Sequence, residues 1–215
     1  MCGLFYVDDK LEREIERVIR IINRNVGDPE REEPSEREVS IKQPGIFAQG
    51  NRRDVHPTDR AEVIFVDGVA RTKQVRWGLR GYQKNQLIIN ARSESALSKQ
   101  SFREGMLHRR ILIPASGFYE WNKRREKNLF TRADGCAVFM AGLCAGTPDD
   151  ERFTILTTPA NVSMRIVHDR MPLILEEDDL AGWLFDASKT EMFLRKVPVE
   201  LLRSTEYEQM TLFHD

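Results

Sequence analysis

The chain opens MCGLFY, which sets Cys2 directly behind the initiator methionine. A small residue at position 2 permits removal of that methionine, and removal leaves Cys2 with a thiol and a free α-amine on one carbon framework. Thiols are strong nucleophiles even when only partly ionised. An α-amine titrates at roughly 7.7–8.0, so a neutral, reactive fraction exists near neutrality. Together they form a 1,2-aminothiol, which condenses with an aldehyde and closes a five-membered ring. The competing reading makes Cys2 a small hydrophobe at the start of a strand.

Three polar clusters offer possible partners. In LIINARSE, strand alternation puts Asn90 and Arg92 on one face and Ile89 and Ala91 on the other. An amide beside a guanidinium suits an anionic, hydrogen-bonding ligand, although an ordinary solvated strand end has the same pattern. In IPASGFYEWNKRR, Glu120 stands among Phe118, Tyr119 and Trp121 ahead of a basic run. Buried there it would serve proton transfer, and exposed it would pair with a neighbouring arginine. In TTPANVSMRIVHDRMPLIL, an extended segment would place His168 and Arg170 on one face, where His168 either moves a proton near neutrality or is structural. Trp77 in WGL reads as a buried tryptophan ending a strand. Cys2, Cys136 and Cys144 make neither a disulfide framework nor a CxxC pair, and His56, His108, His168 and His214 give no HExxH pattern, so no metal or cofactor is expected.

The elements that must position these residues are mostly short. Gly3–Val7 reads as a strand, followed by a helix to Arg24, capped by Asp8 or Asp9, with Leu11, Ile15, Val18, Ile19 and Ile22 as its apolar stripe. GDPEREEPSEREVS is a polar loop. Strands are expected around Ile46–Ala48, Ala61–Val66, Val69–Trp77 and Leu87–Ala91, and a helix over Ser95–Leu107. Three further strand-rich stretches lead to EEDDLAGWLF, whose acidic start suits a helix N-terminus. Many short strands with few helices predict an α+β fold, a single β-rich domain over residues 1–215 with a curved, partly closed sheet and peripheral helices.

At 40% hydrophobic and 31% charged residues, the chain reads as soluble and globular. Leu4–Val7 is too short for a signal segment and no apolar run reaches membrane-spanning length, so the cytoplasm is expected and a membrane is not. Net charge is only −1, but Arg71–Arg132 carries fifteen Lys/Arg against four Glu, while Asp149–Asp215 carries fourteen acids against seven bases. Such segregation would place a positive groove on an acidic body.

MCG, WGL, NARSE, PASGFYEW and VHDRMP together resemble the SOS-response-associated peptidase family, the SRAP domain, in the family's order from Cys2 to about Leu175. The resemblance implies a compact β-rich fold over a positive channel for single-stranded DNA, and a self-crosslinking, abasic-site processing activity with possible lyase action. It implies that Cys2 becomes attached to the open-chain aldehyde of an abasic site. Asn90 would stand beside it, and Glu120 and His168 would take acid–base and substrate-positioning roles. Arg92, Arg170 and Trp77 would be the DNA-binding residues, the two arginines on phosphates. The partner implied is single-stranded DNA containing abasic sites, met by a monomer. Leu4 stands where the family usually has arginine, and in DVHPT only Pro57 and Thr58 match its pattern. Two rival functions are a cysteine peptidase, whose action is limited to exposing Cys2, and plain single-stranded DNA binding.

Overall fold

A computed structural model describes residues 2–26, 52–83 and 85–205; the strand expected at Ile46–Ala48 lies outside them. The chain runs β1 (Leu4–Val7), α1 (Leu11–Asn25), β2 (Arg53–Val55), β3 (Arg60–Asp67), β4 (Val69–Trp77), β5 (Leu79–Arg80), β6 (Leu87–Ile88) and β7 (Asn90–Arg92). Then follow α2 (Gln100–His108), β8 (Arg110–Ala115), β9 (Gly117–Trp121), β10 (Lys127–Arg132), β11 (Val138–Ala145) and β12 (Arg152–Pro159). The last elements are α3 (Val162–Arg165), β13 (Arg170–Pro172), β14 (Ile174–Leu175), α4 (Glu177–Phe185), α5 (Thr190–Leu194) and β15 (Leu201–Thr205).

Two sheets result. One has the order β15-β10-β9-β1-β2; the larger runs β13-β12-β4-β3-β8-β11-β14, with β7 added beside β12. β12 also pairs with β11, so the larger sheet curls back on itself. Two joints in that curl are thin: Arg152–Arg76 and Phe153–Trp77 join β12 to β4, and Ile64–Leu112 joins β3 to β8. The outcome is a mixed α/β fold with a curved, partly closed sheet and peripheral helices.

Alternation assigns the two faces of that sheet to two cores. Val63, Val75, Ile111, Ile113, Met140, Phe153 and Ile155 point inward and meet Phe5, Phe118 and Phe130 from the smaller sheet. Ile64, Leu112, Phe139, Leu143 and Leu156 point outward and are covered by α1, α2, α4 and α5. The helix α1 buries Leu11, Ile15, Val18 and Ile22, four of the five residues of its expected stripe, while Ile19 packs at its margin. Its start differs from expectation: Lys10 is the N-cap, and Asp8 Oδ1 accepts the Lys10 N–H instead of capping the helix. Glu176 and Asp179 form a reciprocal capping box for α4, so its acidic start does what the sequence suggests. The expected helix over Ser95–Leu107 is shorter, preceded by a single tight turn at Ser93–Ser95. No helix among the described residues is long and apolar enough to cross a membrane.

Gly142 lets β11 lie close to β12: a Cβ there would sit 2.7 Å from the Thr154 carbonyl oxygen and would also press on Ile113. Because the carbonyl belongs to a ladder that closes the curved sheet, it cannot retreat freely. Gly142→Ala should therefore destabilise the fold by about 1–3 kcal/mol, seen as a lower denaturation midpoint in urea.

Candidate functional site

The inner face of the smaller sheet ends at Glu120. Register pairs Leu4 with Tyr119 and Phe5 with Phe118, so Leu4 shares the outer face with Tyr6 and Tyr119, away from Glu120. Arg52 lies 3.6 Å over the Tyr6 ring and Lys127 3.9 Å over that of Tyr119, which gives this outer face its own cations. The leucine at position 4 therefore changes a face that Glu120 does not occupy.

Cys2 precedes β1 and is fully buried. Its backbone carbonyl accepts a 2.8 Å hydrogen bond from Asn90 Nδ2, and its thiol donates weakly to the Leu4 carbonyl at 3.8 Å. Burial pushes the thiol up to about 12, helped by the nearby Glu120 carboxylate. The thiol is thus a protonated, shielded group beside an acid. Asn90 Oδ1 is buried and has no hydrogen-bond partner among the described residues.

Asn90 and Arg92 share a face of β7, as alternation predicts, opposite Ile155 and Thr157 in a parallel pairing with β12. Arg92 is exposed, whereas Ala91 between them is buried. Trp77 fixes the entry to this strand. Its indole N–H donates to the Ile89 carbonyl at 2.9 Å, while Phe5 and Phe153 pack on its ring at centroid distances of 5.2 and 6.1 Å. Trp77 has no exposed surface, and its indole supports Asn90 from behind. Thr58 N–H in turn donates to the Trp77 carbonyl, from a left-handed backbone (φ 82°) that β-branched residues rarely adopt.

Glu120 is buried, and its Oε1 lies 3.9 Å from His168 Nε2. His168 is not part of an extended segment: α3 ends three residues earlier, and the chain bends at Asp169 before β13 begins. Asn161 builds that approach. Its Oδ1 accepts from the Ser163 and Met164 N–H groups, and its Nδ2 donates to the Pro198 and Val199 carbonyls, tying α3 to the segment before β15. His168 Nδ1 accepts the Arg170 N–H at 3.0 Å and also lies 2.8 Å from Asp169 Oδ1. A neutral ring accepting from Arg170 carries its proton on Nε2, toward Glu120; a charged ring donates to Asp169 and still presents Nε2–H to Glu120.

Arg170 and His168 are therefore linked through the backbone rather than by a common strand face. The Arg170 guanidinium turns the other way, onto Glu94. Glu94 and Asn161 were not singled out in the sequence. Asn161 had a legible cue, an Asn two residues ahead of Ser163 at the head of a short helix; Glu94 had none, because its partner lies seventy-six positions away.

The basic middle of the chain is only partly a surface field. Lys73 pairs with Glu151, Arg80 with Asp150, Arg109 with Glu104, and Arg132 with Asp134 and Glu176. Arg110 is buried, donating to the Trp183 and Met106 carbonyls.

Fold and site thus define a β-rich protein that buries a second-position cysteine near a carboxylate and an amide, the carboxylate facing a histidine. The sequence model for the SOS response associated peptidase (SRAP) family matches residues 1–213, and the chain belongs to that family. It is 32% identical over 159 residues to the abasic site processing protein YoaM of Bacillus subtilis, an alignment spanning 67% of this chain and 70% of that protein. With the abasic site processing protein YedK of Escherichia coli it shares 34% identity over 136 residues, 59% of this chain and 58% of the relative. A solved phage-related protein from Bordetella bronchiseptica has the same fold, with a TM-score of 0.69 at 19% identity over 95% of this chain and 93% of that one.

The buried thiol sets an expectation for reactivity. At pH 8, a thiol of pKa about 12 is ionised to roughly one part in 10⁴. In folded protein, iodoacetamide should label the exposed Cys136 first and Cys2 and Cys144 far more slowly, as followed by peptide mass spectrometry. Labelling of Cys2 should rise with pH, and rapid labelling of Cys2 at pH 7 would contradict the shielded site.

Proposed function

We propose that the chain senses abasic sites in single-stranded DNA and attaches to them covalently through Cys2. The observation that carries this reading is the placement of Cys2: its carbonyl is held by Asn90 and its thiol lies within the electrostatic reach of Glu120. Family membership and the relatives named for abasic-site processing support it.

An abasic deoxyribose exposes an aldehyde when its ring opens, and Glu120 would assist opening by proton transfer. The Cys2 α-amine, freed by loss of Met1, adds to C1′ and expels water to give an imine. The thiol then adds to the same carbon. Held protonated by burial, it must lose its proton as the C–S bond forms, and Glu120 is the carboxylate whose charge reaches it. The proton ends on the ring nitrogen or in solvent, and a thiazolidine joins protein to DNA. Closure competes with β-elimination from the imine and so shields the strand from cleavage; failure of closure would give lyase activity. His168 Nε2–H, facing Glu120, would hold the sugar oxygen or pass the proton on. Exposed Arg92 would contact a flanking phosphate.

A cysteine peptidase would need a base that lowers the thiol's pKa. Here burial and Glu120 raise it, while His168 faces Glu120. That arrangement suits a nucleophile that acts after its amine.

On a denaturing gel, the protein should shift an abasic single-stranded oligonucleotide and leave the intact one unshifted. Peptide mapping should place the sugar remnant on Cys2, and Cys2→Ala should abolish the stable product; a remnant on an internal lysine would overturn the assignment. Glu120→Gln should slow crosslink formation or reversal by roughly 10²–10⁴-fold while leaving non-covalent binding near the parent's. Binding without any crosslink in the methionine-free parent would leave plain single-stranded DNA binding as the function.

A further inference from the structure

Arg170 was expected to grip phosphate, but its guanidinium already holds a carboxylate. Nη1 lies 2.5 Å from Glu94 Oε1 and Nη2 2.8 Å from Glu94 Oε2, a bidentate fork. Nη2 also donates to the Thr157 carbonyl at 2.6 Å, whereas Nε is buried with no hydrogen-bond partner among the described residues. The Arg170 side chain is 12% exposed and that of Glu94 50%, so the acid covers the fork from the solvent side. Hydrogen bonding from Arg170 holds the Glu94 carboxyl below its ordinary value, and the charges of Arg170 and Arg92 act in the same direction. Glu94 thus occupies a seat for one anion at Arg170, in the turn that follows β7 and within the electrostatic reach of Arg92.

Resting on the proposed DNA site, we infer that Glu94 is a specificity-determining residue that fills the phosphate seat of Arg170 and yields it to a DNA phosphate. A carboxylate and a phosphate present similar paired oxygens to an arginine fork, and the two cannot occupy it together. With Glu94 seated, the strand gains little from Arg170 until it displaces the acid. Weak, unspecific association with intact strands is thereby reduced, and lasting attachment falls to the covalent step at Cys2. Thr157 keeps Arg170 in place while the acid moves aside, because its carbonyl holds Nη2 from within the sheet.

The test uses intact single-stranded oligonucleotide, which has no aldehyde, so that only non-covalent binding is read. Affinity is measured by fluorescence anisotropy from low to moderate salt for the parent, Glu94→Gln, Arg170→Ala and the double variant. Glu94→Gln should bind about 1.5- to fivefold more tightly at low salt, with a salt slope steeper by about 0.7, the value of one added phosphate contact on a single strand. The double variant should lose both gains. Equal or weaker binding by a folded Glu94→Gln protein, with an unchanged slope, overturns the role of Glu94 and makes it a support for Arg170. If that variant does not fold, Glu94→Asp is measured instead: it keeps the charge but shortens its reach, and binding no tighter than the parent's overturns the role equally. Crosslinking of an abasic oligonucleotide by the parent is followed alongside. Its absence overturns the site reading itself, whereas its presence with no tightening in Glu94→Gln overturns only this inference.

Discussion

The hydrogen bond from Asn90 to the Cys2 carbonyl ties the start of the smaller sheet to a short strand of the larger one. Cys2 belongs to the strand end of the smaller sheet, and Asn90 to a three-residue strand added beside β12 of the larger one. A three-residue strand has few ladder bonds, so its position depends on its supports. Trp77 holds the carbonyl of Ile89 from behind, and Thr157 Oγ1 reaches the Ala91 carbonyl at 3.4 Å. The buried aromatics Phe5, Trp77 and Phe153 thereby set where a backbone carbonyl at the chain's second residue can rest. Cys2, the proposed nucleophile, is confined by this packing.

Confinement has a chemical consequence. A buried thiol beside a carboxylate is a poor thiolate, which would defeat a nucleophile acting alone. It suits one whose first bond is made by an amine on the same residue, since an imine brings the electrophilic carbon within the reach of the sulfur. In the proposed reaction the second addition is intramolecular, and proximity replaces ionisation as the source of rate. Glu120 and His168, 3.9 Å apart, are close enough to attract each other and slightly beyond direct hydrogen-bond reach.

The sequence displayed much of this and hid the rest for identifiable reasons. The stripe on α1, the alternation that puts Asn90 and Arg92 on one face, and the acidic head of α4 are local patterns, and local patterns are readable. His168 was legible as a residue but not as a geometry, because the bend at Asp169 and the cap at Asn161 replace the extended segment that VHDR suggests. Trp77 reads in two ways, as a buried strand end and through family resemblance as a DNA contact; it lies buried at the end of β4. Pairing across long stretches of chain had no trace at all: Glu94 finds Arg170 only because β7 and β13 flank β12.

The same logic applies to charge. A segment with fifteen bases and four acids invites the picture of one positive groove, yet sequence proximity does not decide where charges end. Glu151, Asp150 and Glu176, all from the acidic last third of the chain, come back to Lys73, Arg80 and Arg132. Those cations hold elements together at the surface, where each pair adds little stability and no field. Arg110 is consumed differently, its guanidinium bonded to carbonyls at the ends of α2 and α4, whose partial negative charge is the counterion. What is left to attract an anion is decided by which bases the acids do not reach. Among the described residues around β7, Arg92 is exposed and Arg170 lies behind its carboxylate, so what the segment offers an anion follows from its pairings and not from its composition alone.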